Sequence, residues 1–489
     1  MSEKKRKLTP EEQKERMLRQ KKRILARTRR LENHLCGLNI GVIVAVLAVI
    51  TLFMTFGERP KISEVENRDL EKCPTFTWES YFSGDFTAQY AKFYNDTVPL
   101  RSTFKTVISQ FRANLGIGGD SLHGGIPDIE TRPERPPQSS TSSKKPPAVV
   151  IPQQSSSSTA SSGSTPVTSS STTSMSSSAS SSTDKEPVTI DPNGGMTSSG
   201  VLVLSDGRGL SLFGGSWSGG QAYAEHLNAY KRALGDVNVY SLVSPTAVSF
   251  YLPDEYSNMT ASEWDHIDNI NDYLDGVIPV DAYSALEQHT AEDIFMRTDH
   301  HWSSLGAYYA AQAFAETAQV DFAELNDENY EKISRDGYLG KLYGWSGENA
   351  TMRDHPETFT YYRPQNEYTA DFYTQALEYQ YRGLMMLDID RIENVSEWYI
   401  VNICGDNYAV DINTDCHNGR RLMIVKDSYG NALPAFLTNS FEEIWVVDMR
   451  YFEGSVTALC QSEGITDLLF AMNSTSATGV NKDNLPNIM

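Results

Sequence analysis

Five consecutive residues, Thr298-Asp299-His300-His301-Trp302, hold the side chains best suited to act together chemically. They follow the apolar Ile294-Phe295-Met296 and lead into a helical pattern from Leu305 to Glu316. That order describes a strand-end-to-helix junction, where α/β folds keep their chemistry. In an extended segment residues i and i+2 share a side, so Asp299 and His301 are expected together and His300 is expected to face away. A carboxylate that holds an imidazole in one tautomer is two thirds of a nucleophilic triad. The best candidate for the missing nucleophile is Ser428, in Lys426-Asp427-Ser428-Tyr429-Gly430-Asn431. This stretch follows the apolar run Leu422 to Val425 and precedes another helical pattern, which places Ser428 on a strand-to-helix turn. A His pair is also a possible metal fragment, but adjacent side chains of an extended segment diverge and are not expected to share an ion. No CxxC or HExxH spacing supports zinc. Gly214, Gly215, Gly219 and Gly220 lack the pattern of a phosphate loop. Neither a metal nor a cofactor is expected.

The elements that must position these residues read as an α/β domain over 200–489. Val201 to Leu204 and Leu210 to Phe213 read as strands around a Ser205-Asp206-Gly207 turn. A helix is predicted from Gln221 to Leu234 and stopped by Gly235. A buried-type strand, Val237 to Val243, and a helical segment, Ala261 to Leu274, follow. Leu422 to Val425, Ile444 to Val447 and Leu468 to Phe470 are further strand candidates, with helical segments Ala432 to Leu437 and Val456 to Glu463 between them. This alternation implies a mostly parallel sheet covered on both faces, a three-layer α/β/α arrangement. Residues 318–400 show little periodicity and are expected to form long loops with a small β insertion over the site. Tyr343, Trp345, Tyr361 and Tyr362 read better as core than as sugar platforms. Cys404 and Cys416 bracket a turn-rich segment and are candidates for a pairing across it.

The first 199 residues are of other kinds. Residues 1–35 carry about 13 Lys and Arg against about 5 Asp and Glu, which leaves roughly −29 on the rest of a 489-residue chain of net charge −21. So acidic a remainder argues against nucleic acid as a partner. Leu38 to Phe56 is almost continuously apolar and spans about 28 Å as a helix. We therefore expect residues 36–57 to be an uncleaved transmembrane anchor. The basic tail 1–35 would be cytoplasmic and the rest of the chain extracytoplasmic. Residues 58–118 are expected to be a helical lead-in whose aromatic residues, Trp78, Tyr81, Phe82, Phe86, Tyr90 and Phe93, pack on the main domain. Residues 131–196 collapse into Ser, Thr and Pro and are expected to be a disordered insertion.

With those motifs in hand, a resemblance is visible. Thr298 to Ser303 followed by Leu305-Gly306-Ala307-Tyr308-Tyr309 resembles the signature of the DHHW family, named after residues 299–302 as they stand here. Lys426-Asp427-Ser428-Tyr429 with Asn431, Pro434 and Phe436, and Val447-Asp448-Met449-Arg450-Tyr451, are similar to its other signatures. So is Glu66-Asn67-Arg68 through Phe76-Thr77-Trp78. That family resembles the SGNH-hydrolase-like proteins that O-acetylate alginate in the bacterial periplasm. The resemblance implies an SGNH-type domain with permuted strand order. It implies Ser428, His301 and Asp299 as triad, and acetyl transfer to or from a cell-surface or secreted polysaccharide. It further implies a multi-spanning membrane acyltransferase as acetyl donor. The Ser428 N–H, Asn431 and Asn473 are candidate oxyanion donors, and His300, Trp302 and Arg450 candidate groove residues. The competing class is a glycan-binding or assembly protein with a silent triad.

Overall fold

The computed structural model describes residues 72–99, 120–133 and 200–489, with scattered shorter pieces such as Thr189–Asp191. The chain divides into two units, 1–103 and 104–489. The basic tail and the apolar run Leu38–Phe56 lie almost wholly outside the described residues. Among those described, no helix is long and apolar enough to cross a membrane. In the first unit Thr77 caps a helix, Trp78–Ser83, and Gly84 at φ +91° joins it to a second, Asp85–Asp96. Within this unit Phe86 and Phe93 are half-buried. Trp78 and Phe82 stack on each other 6.0 Å apart, yet are 68% and 78% exposed.

The second unit is built on an eight-stranded sheet. Its order from one edge is Tyr379–Gly383, Tyr368–Tyr373, Ala409–Thr414, Glu443–Asp448, Arg421–Lys426, Asp467–Asn473, Asn238–Ser244 and Ile278–Val280. The last five strands run parallel, and the first three are joined by antiparallel ladders. The central strands are unbroken apolar runs because both faces are covered. Val239, Val243, Met423, Val425, Trp445, Val447 and Phe470 enter one core with helices Trp217–Leu234, Glu263–Tyr273 and Val456–Ser462. The alternate residues Tyr240, Leu242, Leu422, Ile424, Ile444, Val446 and Leu469 enter the other, with helix Ser304–Ala318. This is a mixed α/β fold with helices on both faces of a mostly parallel sheet.

Two further details follow from local chemistry. Helix Trp217–Leu234 begins four residues before its predicted start, because the Ser216 side chain caps it by accepting from Gly219 N at 3.2 Å. Gly219 has no side chain for a steric reason, since a Cβ there would stand 2.0 Å from the Thr478 carbonyl oxygen. The pair expected at 201–204 and 210–213 does form a hairpin, Val201–Val203 with Gly209–Ser211. However, it lies outside the main sheet, in a four-stranded sheet with Ser121–His123 and Thr189–Asp191. A turn this short can join only antiparallel neighbours. The Ser/Thr/Pro-rich stretch lies mostly outside the described residues, but its ends belong to the main unit. Arg132 pairs with Asp265 and Asp268 at 3.2 and 3.0 Å, and Thr189–Asp191 is a strand.

At the amino ends of the parallel strands Asp467, fully buried, accepts two bonds from the Arg420 guanidinium at 2.7 and 2.6 Å, with others from Asn238 and Tyr240. Asp467→Ala leaves a buried cation unmatched, which typically costs 3–5 kcal/mol. Urea denaturation should show a loss of about that size.

Candidate active site

Ser428 opens a short 3-10 turn, Ser428–Ala432, at the carboxyl end of strand Arg421–Lys426. The helix that follows, Pro434–Leu437, lies on one face of the sheet, whereas Val456–Ser462, after the neighbouring strand Glu443–Asp448, lies on the other. The connections leave in opposite directions, so a crevice opens at the carboxyl ends of these two strands. Lys426, Asp427 and Ser428 meet it from one strand, and Asp448 and Arg450 from the other.

Asp299 and His301 reach Ser428 from a loop between sheet elements. The expected strand at 294–296 is only a single bridge, Phe295 to Trp302, closing a tight bend over 297–301. Asp299 Oδ1 accepts from the His301 backbone N at 3.0 Å, folding the chain into an Asx turn. Asp299 and His301 still meet, but through this turn rather than extended chain. The same turn brings the His300 ring back beside His301, with centroids 3.8 Å apart. The expectation that adjacent imidazoles diverge is therefore corrected. Donor atoms of Asp299, His300 and His301 lie within 4.8 Å of one another. A metal there would compete with hydrogen bonds that already engage both His301 nitrogens and both Asp299 oxygens.

Those bonds form one chain. His301 Nδ1 lies 2.7 Å from Asp299 Oδ1, and His301 Nε2 lies 2.8 Å from Ser428 Oγ. Asp299 Oδ2 accepts from Tyr338 Oη at 3.0 Å and Lys341 N at 2.8 Å. Burial alone would raise the Asp299 carboxyl. The neighbouring imidazoles and the Lys341 N–H outweigh it and hold the group well below the usual carboxylate range. The Tyr399 ring stacks on His301 at 3.8 Å and fixes its plane. The two loops are also sewn directly together. Trp302 Nε1 donates to the Tyr429 carbonyl at 3.1 Å, and the Tyr429 hydroxyl donates to the His300 carbonyl. A half-buried carboxylate, Glu357, holds the far end of the bend by accepting from Arg297 N and Thr298 N at 2.7 Å each.

A cavity of about 360 Å³ opens over Ser428, lined among others by His300, Trp345, Arg450, Asn473 and Thr475. His300 and Arg450 thus lie where groove residues are expected. Trp302 does not, because it is fully buried and committed to Tyr429. Asn431 is also turned away, since its Nδ2 donates to Asp406 at 2.9 Å. Asn473 does reach the cavity wall. Trp345 lines it too, stacked on His300, and also packs against the small core of Val201, Val203, Leu342 and Met352. Cys404 and Cys416 are both free thiols. Sequence reading missed Tyr338, Lys341 and Tyr399. They lie in the stretch 318–400, where no periodicity marked them.

Together these elements describe a mixed α/β protein whose mostly parallel sheet carries a hydrogen-bonded Ser, His and Asp over a cavity. Within that class the chain belongs to the DHHW protein family, whose profile matches residues 66–447. It is similar to a DHHW family protein from Eubacterium siraeum, at 42% identity and TM-score 0.56, covering 60% of this chain and 95% of that one. It also resembles Bacillus cereus PatB1, solved with a sulfonyl adduct, at 18% identity and TM-score 0.50, covering 59% and 98%. The O-acetyltransferase domain of Pseudomonas putida AlgJ overlaps at 16% identity and TM-score 0.32, covering 57% and 92%. No curated protein matches in sequence.

Burial, then the neighbouring His301 and Lys341, push the His300 imidazole down from its ordinary value to about 3. In the unfolded chain it takes its proton near 6.5. Between those values the unfolded state binds the extra proton, so the folded state loses stability as pH falls. The side chain is 23% exposed, so screening makes the effect smaller than the full shift implies. The stability lost between pH 7 and pH 4, from urea midpoints, should be smaller in His300→Asn than in the native protein.

Proposed function

We propose that this protein is an extracytoplasmic O-acyltransferase or esterase with an SGNH-type domain. It acts on a cell-surface or secreted polysaccharide through Ser428, His301 and Asp299. The observation that carries the reading is the continuous bonding of Asp299 to His301 to Ser428 at the floor of an open cavity. The membrane anchor at 36–57, the polysaccharide and the membrane-embedded acetyl donor come from the sequence reading and its resemblance, and belong to the proposal.

In the first half-reaction Ser428 Oγ attacks the acetyl carbonyl carbon while its proton passes to His301 Nε2. The Ser428 N–H and the Asn473 side chain meet the developing oxyanion. Collapse expels the donor alcohol, which takes the proton from His301 and leaves acetyl-Ser428. In the second, a sugar hydroxyl attacks that ester and gives its proton to His301. Ser428 Oγ leaves and recovers the proton, and the acetyl group now sits on the sugar. With water in place of sugar the same cycle is hydrolysis. Asp299, fully bonded and charged, stabilises the imidazolium in both halves.

PatB1 was solved with a sulfonyl adduct, so a sulfonyl fluoride is a suitable probe here. It should label Ser428 in the native protein. Ser428→Ala should abolish labelling and lower turnover of p-nitrophenyl acetate at least 10³-fold, with the thermal midpoint within a few degrees. Undiminished turnover in that variant sinks the mechanism.

A further inference from the structure

One wall of the Ser428 cavity consists of neutral hydroxyl and amide side chains. Thr246 follows strand Asn238–Ser244, while Asn473, Thr475 and Ser476 follow Asp467–Asn473, and Asn481 lies beyond them. Asn481 Nδ2 donates to Ser476 Oγ at 3.0 Å, which joins the turn internally. Glu263, 2% exposed, ties the two wall loops together. It accepts from Thr246 N at 2.9 Å and Thr246 Oγ1 at 3.1 Å, and from the hydroxyls of Ser249 and Ser474. Burial makes this carboxylate costly, and the acyl chemistry does not use it. Its effect is to fix neutral donors and acceptors on one side of the nucleophile. Across the cavity the Trp345 ring, stacked on His300 at 4.7 Å, offers a flat apolar surface.

The fixed charges around the nucleophile cancel or are negative. Arg450 is matched by Asp448 at 2.7 Å and by Asp406 at 2.9 Å. Lys426 is matched by the same Asp448 at 2.6 Å. Lys341 pairs with Glu397. Asp299 adds a buried negative charge behind the imidazole. Among the described residues lining the cavity no surplus cation is left to receive a carboxylate or phosphate, and the chain's −21 adds a repelling field.

We propose that this wall is the acceptor subsite for an uncharged sugar unit. Thr246, Thr475, Ser476 and Asn481 read its hydroxyl groups, and Trp345 carries the apolar face of its ring. A glycan bearing a carboxylate on each residue is excluded by charge. This inference rests on the acyl-transfer reading above.

The test uses the full-length protein with p-nitrophenyl acetate as donor and two acceptors of equal length, cellopentaose and a penta-galacturonate. O-acetylated product is measured by mass spectrometry. Acetylation of the neutral acceptor should be at least tenfold faster. Thr475→Arg, which adds a cation at the exposed rim, should narrow that ratio at least fivefold. Equal or faster transfer to the uronate, or donor hydrolysis at Ser428 with transfer to neither glycan, overturns the subsite. So does a ratio that Thr475→Arg leaves unchanged. Failure of the acyl-transfer reading looks different, because no donor is then turned over and Ser428 is not labelled.

Discussion

A carboxylate kept charged in a dry interior constrains everything else at this site. Asp299 is 1% exposed. An isolated charge at such depth is untenable without hydrogen bonds to compensate for lost water. Asp299 obtains four, two from His301, one from Tyr338 and one from Lys341 N. These come from a bend in the chain, the last residue of strand Tyr330–Tyr338, and the backbone just past Gly340. A Cβ at Gly340 would meet Asp299 Cβ at 2.4 Å, so the Lys341 N–H can approach only because residue 340 is glycine. The imidazole and the hydroxyl it faces are downstream of this requirement.

The same economy recurs along the carboxyl edge of the sheet. Asp299, Asp427 and Asp448 each accept from the backbone N two residues ahead, at 3.0, 2.9 and 3.1 Å. Each turn re-aims the next side chain over the crevice: His301, Ser428 with Tyr429, and Arg450. Asp427 also accepts from Asn473 N at 3.0 Å, which joins the nucleophile turn to the neighbouring wall. Half-buried Glu357 and buried Glu263 brace loops in the same way, Glu357 by accepting from Arg297 N and Thr298 N and Glu263 from Thr246 N. Short acidic side chains here are scaffolding for loops, which explains why an acidic chain can place a neutral site at its centre.

The parallel core was legible because its strands are long apolar runs separated by helical patterns, as in Leu422 to Val425 and Leu468 to Phe470. The Asp299, His301 and Ser428 set was legible because residue type and motif point to one chemistry. The conformation that unites Asp299 with His301 was not. A side-chain hydrogen bond within three residues overrides the extended geometry that spacing alone suggests. Trp302 carries no signal to separate a buried anchor from a groove residue, and Trp345 none to separate a cavity ring from core. The small four-stranded sheet was also hidden, because its partner Ser121–His123 lies about 80 residues before Val201. Tyr338 and Tyr399 earn their places through tertiary contact alone.

His301 and Ser428 are 127 positions apart, yet three cross-links between their loops leave neither able to settle without the other. The strand beside Ser428, Asp467–Asn473, comes later still. A nascent chain that has made the imidazole loop therefore holds no assembled base, and one that has made the nucleophile still lacks a wall. The contacts among Asp299, His301 and Ser428 can therefore close only after the strands that carry them have been made, so the order of the strands sets when this site can form.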